Sequence, residues 1–581
     1  MTRLRVPVRD GVSLCTDVFL PGDARPAPTV LIRTPYGRHI PLLRALGIRL
    51  ADRGLGVAIQ DCRGRYQSGG RFDLALEHLD GFDTLAWLRE QPWADGRVAL
   101  LGISVGSHAA FRIALETPPA GTQVVTVINV MGLVDLHALF YASGALRLHW
   151  ALPWFSLMRP ANMGRSGWRD VSWNDRYRRL PLVDAFKDVC GEFDDLWPFV
   201  VTHPAYGPEW HQWNLLDRLA GADLPVLHVS GWHDFMLDQV VRAFRALNRS
   251  AGAASRQRLI VGPWNHQTIF EAFGPARSDG DDAANLTDVI AAWCARSLAS
   301  ASRAAEGSSD PRVRVNVLGT REWIAADDLK PATGTVEAWY LASDGHANAS
   351  TGDGRLAPEP TPALGHDSFM FDPEDPAPTT GGAIWPFPSA DLVPGPADQS
   401  AVERRADVLV YTSAPIAADL TLFGDARVEL WAATSALDTD FTAKLVDVDT
   451  AAVPHIVQDG IVRARFREGA DAQRLLEPQH AVAFAIDMGP IAYRVAEGHR
   501  LRLEISSSNF PKYDRNMNTG AAPHTAAAGV VAVQTVFHGR PMSSRLLLTV
   551  APAGPRRDAR TLSMYEALTF ERDAPSRPAA S

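Results

Sequence analysis

Four short apolar runs in the first 110 residues alternate with stretches of helical spacing. The runs are "GVSLCTDVFLP", "PTVLIRTPY", "LGVAIQDCRG" and "RVALLGIS". Between them, "PLLRALGIRLADRG" ends at Gly54, and "LDGFDTLAWLREQ" places Phe82, Leu85 and Leu88 near a 3.6-residue period. Apolar strands alternating with helices predict a mostly parallel α/β sheet. The pattern resumes at "LPVLHVSGWHDF" and "QRLIVGPWNHQ", each an apolar run that ends in a polar loop.

Two other stretches follow different rules. Residues 131–218 show no strand–helix alternation but hold Trp150, Trp154, Trp168, Trp173, Trp197, Trp210 and Trp213, seven of the chain's 16 tryptophans. Ligand pockets favour aromatic linings at domain interfaces. The stretch therefore reads as a helical cap over a pocket, the alternative being a subdomain that spends its tryptophans on its own core. Residues 299–310, "ASASRAAEGSSD", read as a surface loop. Residues 345–400 are rich in Pro and Gly with little period. From 405 to 550 the chain carries about eight short strands with turn signals, such as "ARVELWAA" and "SRLLLTVAP". These suggest a β-sandwich or jelly roll. A chain of 581 residues is too long for one core. The expected division is an α/β unit from 1–130 and 219–329, a cap at 131–218, an all-β unit at 330–572 and a disordered tail at 573–581.

Composition narrows the function classes. A net charge of -9 with no basic stripe argues against nucleic acid as the main partner. No run of about 18 apolar residues predicts a membrane span, and the N-terminal sequence shows no secretory pattern. Cys15, Cys62, Cys190 and Cys294 are scattered, which predicts reduced buried thiols in a cytoplasmic protein. No His/Cys ligand cluster calls for a metal, and no cofactor is expected.

The chemistry centres on "VALLGISVGSHAA", residues 98–110. A Gly-x-Ser-x-Gly match is weak alone. Here it follows an apolar strand and precedes a helix-compatible segment, the setting of a strained turn that lifts Ser104 out of the sheet. Small residues at 102 and 106 would let strand and helix approach closely. A serine needs a base and the base needs an orienting acid, in the chain order Ser, Asp or Glu, His. Asp234 and His266 end later strands and fit. Asp238 lies further from its strand end, and Asp223 precedes the strand. His228 sits inside a strand as a core histidine, and His233 abuts Asp234, from which adjacent side chains point away. The Val105 N–H and the Tyr36 hydroxyl are the candidate donors to an oxyanion. Trp150, Trp154, Trp232 and Phe235 are the candidate pocket residues.

With these residues in place the chain resembles the serine hydrolases grouped with cocaine esterase and the X-Pro dipeptidyl-peptidases. The similarity runs through "VPVRDGVSLCTDVFLP", "RTPYGR", "QDCRGRYQSGGRF", "GISVG", "HPAYGPEWHQW", "SGWHDF", "GPWNH", "YTSAPIAADL", "DTDFTAKLVDV" and "HRLRLEISSSNFPKYDRNMNTG". The resemblance implies an α/β-hydrolase core, an inserted helical cap and a C-terminal jelly roll. It implies Ser104 as nucleophile, His266 as base, Asp234 as acid, and Tyr36 with Val105 as the oxyanion hole. It implies a small-molecule ester or amide as substrate, and it leaves a homodimer open. Two departures bear on specificity. Val105 stands where the family often has Tyr. Phe235, Met236 and Leu237 follow the acid where ammonium-binding relatives place carboxylates, so an amino-terminal substrate is disfavoured. The tryptophan-rich cap points to a bulky, partly apolar or aromatic acyl group.

Overall fold

The computed structural model describes residues 1–22, 25–117, 119–159, 171–185, 195–249, 254–273, 285–299, 311–387, 392–552 and 560–562. Trp168, Cys190, the tail at 573–581 and nearly all of the 299–310 loop lie outside them. The first sheet begins with β1 (Thr2–Pro7), β2 (Ser13–Phe19), β3 (Ala27–Thr34), β4 (Gly56–Asp61), β5 (Ala94–Ile103) and β6 (Gln123–Val130). A small hairpin, β7 (Tyr141–Ala142) and β8 (Ala145–Leu146), stands apart from it. The sheet continues with β9 (Val226–His233), β10 (Gln257–Asn265), β11 (Val313–Asn316) and β12 (Trp323–Ala326). The spatial order is β1-β2-β4-β3-β5-β6-β9-β10-β11-β12. From β4 to β11 every neighbour is parallel.

The apolar runs are explained by cover on both faces. Along β3, Val30 and Ile32 pack on one side with Leu43, Leu46 and Leu50 of helix α1 (Pro41–Ala51). Leu31 packs on the other with Leu85 and Leu88 of α2 (Glu77–Arg89) and with Phe111 of α3 (Gly106–Ala114). The chain leaves β3 for β4 on one side and returns to β5 on the other. In open α/β sheets, such a reversal opens a crevice at the carboxyl ends of the strands.

The cap enters between β6 and β9. It holds α4 (Leu136–Phe140), the β7–β8 hairpin, α5 (Leu148–Met158) and several shorter helices. Pro153 sits inside α5 and has no N–H to give the His149 carbonyl. The Tyr177 hydroxyl donates to that carbonyl instead, at 3.0 Å. Trp173, Trp197 and Trp210 are buried in the cap's own core. Both readings of the tryptophans therefore hold, each for different residues.

The C-terminal unit is β-rich, with strands from Thr335–Ala342 to Arg545–Val550 in one continuous sheet. Its tip meets the cap through a buried ion cluster. Arg463 reaches Asp440 at 2.9 Å and Asp514 at 3.0 Å, while Asp514 accepts from Leu146 N–H. Two details differ from the sequence reading. Arg355–Ala357 and Gly365–Phe371 are strands inside the stretch that shows little period, because Pro and Gly break the runs between them. The expected all-β unit at 330–572 does not keep its last strand. Arg560–Leu562 returns to pair with Trp323–Ala325 of β12, satisfying an edge that would otherwise leave backbone groups unpaired.

Candidate active site

Ser104 follows β5 and precedes α3, with a backbone φ of 57°. A non-glycine residue in that region is strained, and strain of this kind is held only where the surroundings dictate it. They do so here. Ser104 N–H donates to the Val130 carbonyl at 2.9 Å, and the Ser104 carbonyl accepts from Ser107 and Leu133. A side chain at Gly102 would meet the Ser107 Cα at 2.3 Å, so only glycine lets the strand and helix close on the turn.

Asp234 leaves β9, which is separated from β5 by β6 in the sheet, and is 1% exposed. Its Oδ1 lies 2.9 Å from His266 Nδ1 and accepts from Met236 N–H at 3.0 Å. Its Oδ2 accepts from Ser230 Oγ at 2.9 Å. His266 follows β10, on a turn that Asn265 sets: its side-chain oxygen accepts from the Gln267 and Thr268 N–H groups. Gly231 is the close approach that brings the two strand ends together, since a Cβ there would lie 2.1 Å from the Trp264 carbonyl oxygen. Ser104 Oγ lies 3.6 Å from Met236 Sδ. Among the described residues no hydrogen bond joins Ser104 Oγ to His266, and such contacts tighten when substrate binds.

Three of the four rival residues are occupied elsewhere. His228 is fully buried between Asn129 and Gln257, and burial pushes it down to about 3. Burial pushes His233 down to about 4, so it stays neutral. Asp223 pairs with Arg256 at the surface. Asp238 pairs with Arg147 at 2.9 Å.

Tyr36 follows β3, beside the Ser104 turn. Burial raises its phenol above the usual range, so it stays protonated and able to donate. Trp154 Nε1 donates to the Tyr36 hydroxyl at 3.2 Å. Val105 is the residue before α3, buried against Leu139 and Trp150 of the cap.

A cavity of about 500 Å³ opens over Ser104, His266, Tyr36 and Val105. Its other walls are mainly apolar, including Ile40, Leu42, Leu157 and Phe270. Trp150, Trp154 and Phe235 line it as expected from sequence. Trp150 and Phe235 stack at 5.5 Å. Trp232 does not line it. Its indole is drawn away to the Asn316 carbonyl at 2.7 Å, and it borders a separate cavity of about 100 Å³. Trp385 and Phe387 of the β-rich unit complete the wall and were missed by sequence reasoning, as was Met236. The available signal was "IWPFP", an aromatic pair in a stretch otherwise without apolar period. Among the described residues, neither a group of three or more potential metal ligands nor a helix long and apolar enough to cross a membrane is present.

Comparison with known proteins adds whole-chain likeness. Residues 10–268 match the X-Pro dipeptidyl-peptidase (S15 family) pattern. Residues 306–547 match the X-Pro dipeptidyl-peptidase C-terminal non-catalytic domain. The chain is 32% identical over 578 residues to a cocaine esterase from Rhodococcus sp. (strain MB1 Bresler), covering 94% of this chain and 98% of that one. An α-amino acid ester hydrolase superposes with a TM-score of 0.80 at 23% identity, covering 95% of this chain and 96% of its own. An aminopeptidase from a marine sediment archaeon, Thaumarchaeota archaeon, gives 0.79 at 23%, with the same coverage.

Proposed function

The chain belongs to the S15 family of serine hydrolases that includes cocaine esterase, and from that premise we propose that it cleaves carboxylic esters of bulky, apolar acyl groups through an acyl-enzyme on Ser104. The observation that carries the reading is the convergence of four strand ends at one apolar cavity: Ser104 after β5, His266 after β10 with Asp234 after β9 at 2.9 Å behind it, and Tyr36 after β3. His266 takes the Ser104 proton as Oγ attacks the ester carbonyl. Asp234 holds the Nδ1 proton, fixing the tautomer that leaves Nε2 free as base. The Tyr36 hydroxyl and Val105 N–H donate to the oxyanion as charge develops. His266 then protonates the departing alkoxide, and water releases the acyl group by the same steps in reverse.

The cavity wall supports an uncharged acyl group. Among the described residues no carboxylate lines it. An ammonium would be buried there without a partner, at a cost of several kcal/mol. This ranks a dipeptidyl-peptidase or amino-acid ester activity below a simple esterase, with an amidase acting on the same acyl groups between them. A cytoplasmic setting is in keeping with the free, buried Cys15, Cys62 and Cys294. Whether the enzyme works as a homodimer is read by sedimentation.

The test is a panel of acetyl, phenylacetyl and longer-chain esters, matching anilides, and Xaa-Pro anilides, run on the native protein and on Ser104→Ala. The expected result is faster turnover of the bulky esters and a loss of about 10⁴- to 10⁶-fold in Ser104→Ala. Equal activity in the two proteins, or cleavage of Xaa-Pro anilides alone, overturns the reading.

A further inference from the structure

The cap helix α5 is joined to the Tyr36 segment at several points, and one of them engages the Tyr36 hydroxyl itself. Trp154 Nε1 lies 3.2 Å from the Tyr36 hydroxyl. An indole N–H can only donate. The phenol oxygen must therefore be the acceptor in this contact, and its single proton is left for another partner. Tyr36 and Ser104 line the same cavity, so that proton is left to donate into the space over Ser104. The tryptophan thus fixes the sense of the tyrosine hydroxyl as well as its place. A hydroxyl that accepts one hydrogen bond also donates a stronger one, because the two polarise each other.

The surrounding structure holds this pair in register. Arg65 Nε donates to the Pro35 carbonyl at 2.8 Å, and its Nη1 donates to the Met158 carbonyl at the end of α5. Tyr66 donates to the Tyr36 carbonyl at 2.6 Å. Tyr177 ties the carbonyl freed by Pro153 one turn before. Phe155 and Trp150 pack against the Trp154 ring at 5.3 and 6.1 Å.

We infer that Trp154 is a positioning residue of the oxyanion hole: its indole N–H sets the Tyr36 hydroxyl to donate toward the Ser104 side, so the cap helix contributes to turnover and not only to substrate fit. This rests on the esterase reading above, with Tyr36 as an oxyanion donor. Trp154 also lines the cavity, so the experiment must separate its N–H from its bulk.

The test uses the full chain with 3-benzothienylalanine at position 154, which keeps the ring system and replaces N–H by sulfur. Trp154→Phe serves as a second variant, and each is made alone and with Tyr36→Phe. Near-ultraviolet circular dichroism checks the fold. The expected result is a drop in kcat of about tenfold with the isostere, KM within twofold of the native value, and no further drop when Tyr36 is already Phe. An unchanged kcat overturns the inference. So does a loss confined to KM, or one that persists in full on the Tyr36→Phe background, because either assigns Trp154 to the pocket wall alone. If Tyr36→Phe itself leaves kcat intact while Ser104→Ala abolishes it, the inference falls because Tyr36 is not the donor. Should Ser104→Ala also stay active, the failure belongs to the esterase reading instead.

Discussion

The strand-end loops and the aromatic wall opposite them enclose the same cavity, yet they hold their residues by different means. Each loop fixes its side chain through hydrogen bonds that accept few alternatives. Asp234 bridges Ser230, Met236 N–H and His266, while Asn265 shapes the turn under His266. The wall is held by packing: Phe140 on Trp150 at 5.0 Å, Trp150 on Phe235, and Trp385 on Phe387. Apolar contacts depend on volume more than on identity, and volume-conserving changes are tolerated. The loops are therefore brittle and the wall adaptable. Chemistry should collapse on small changes that selectivity survives.

The sharpest way to break that contrast is Asp234→Asn. The amide keeps the shape but presents N–H where His266 Nδ1–H must donate, which favours the wrong tautomer. A loss of ~10⁴-fold in kcat with KM little changed is expected in steady-state kinetics. A loss below about tenfold would make the loop as forgiving as the wall. On the other side, Trp385→Ala removes bulk contributed by the β-rich unit. It should lower kcat/KM for bulky apolar esters about 10- to 100-fold relative to acetyl esters. Turnover of the acetyl ester should stay within about threefold. Equal losses on both esters would show that the wall shapes the chemistry itself.

The same difference explains what could be read from the sequence. Gly102, Ser104, Asp234 and His266 are residue types that a strained turn or a hydrogen-bonded pair demands, and they lie at the ends of apolar runs with a clear period. Tyr36, which lines the same cavity, likewise ends such a run. Trp385 and Phe387 carry no such mark: they come from a Pro- and Gly-rich segment and reach the cavity only through long-range packing. Trp232 misled for a related reason. It neighbours Asp234 in sequence, but its indole is committed to Asn316 on another strand. The return of Arg560–Leu562 to β12 depends on an unpaired sheet edge, which no local pattern of three residues encodes.

Histidines extend the comparison to the two large units and give the smallest expected effect. In the α/β and cap region, burial pushes His108, His149 and His228 down to about 3 and His233 to about 4. Unfolded, each would titrate near 6.5. Below that pH the unfolded chain takes up protons that the folded chain refuses, so stability falls as pH drops from about 6.5 toward 3. The loss is about 1 kcal/mol per buried histidine between pH 6.5 and 5.5. In the β-rich unit, His455, His499 and His538 sit instead against Asp449, Asp447 and Asp367. Asp367 is held below its usual range despite burial, by hydrogen bonds from His538, Ala347 N–H, Ser343 and Tyr411. Its contribution persists down to about pH 3.8 and is lost only below it. Hydrogen exchange at pH 5.5 should therefore lose protection first in α3, α5 and β9, with the β-rich unit still protected. His228→Gln keeps a polar group between Asn129 and Gln257 without a titrating proton. It should shallow the acid slope by about 1 kcal/mol per pH unit. Simultaneous loss of protection in both units would mean that the cap–β ion cluster couples them into one cooperative fold, and that burial of neutral histidines does not decide which part opens.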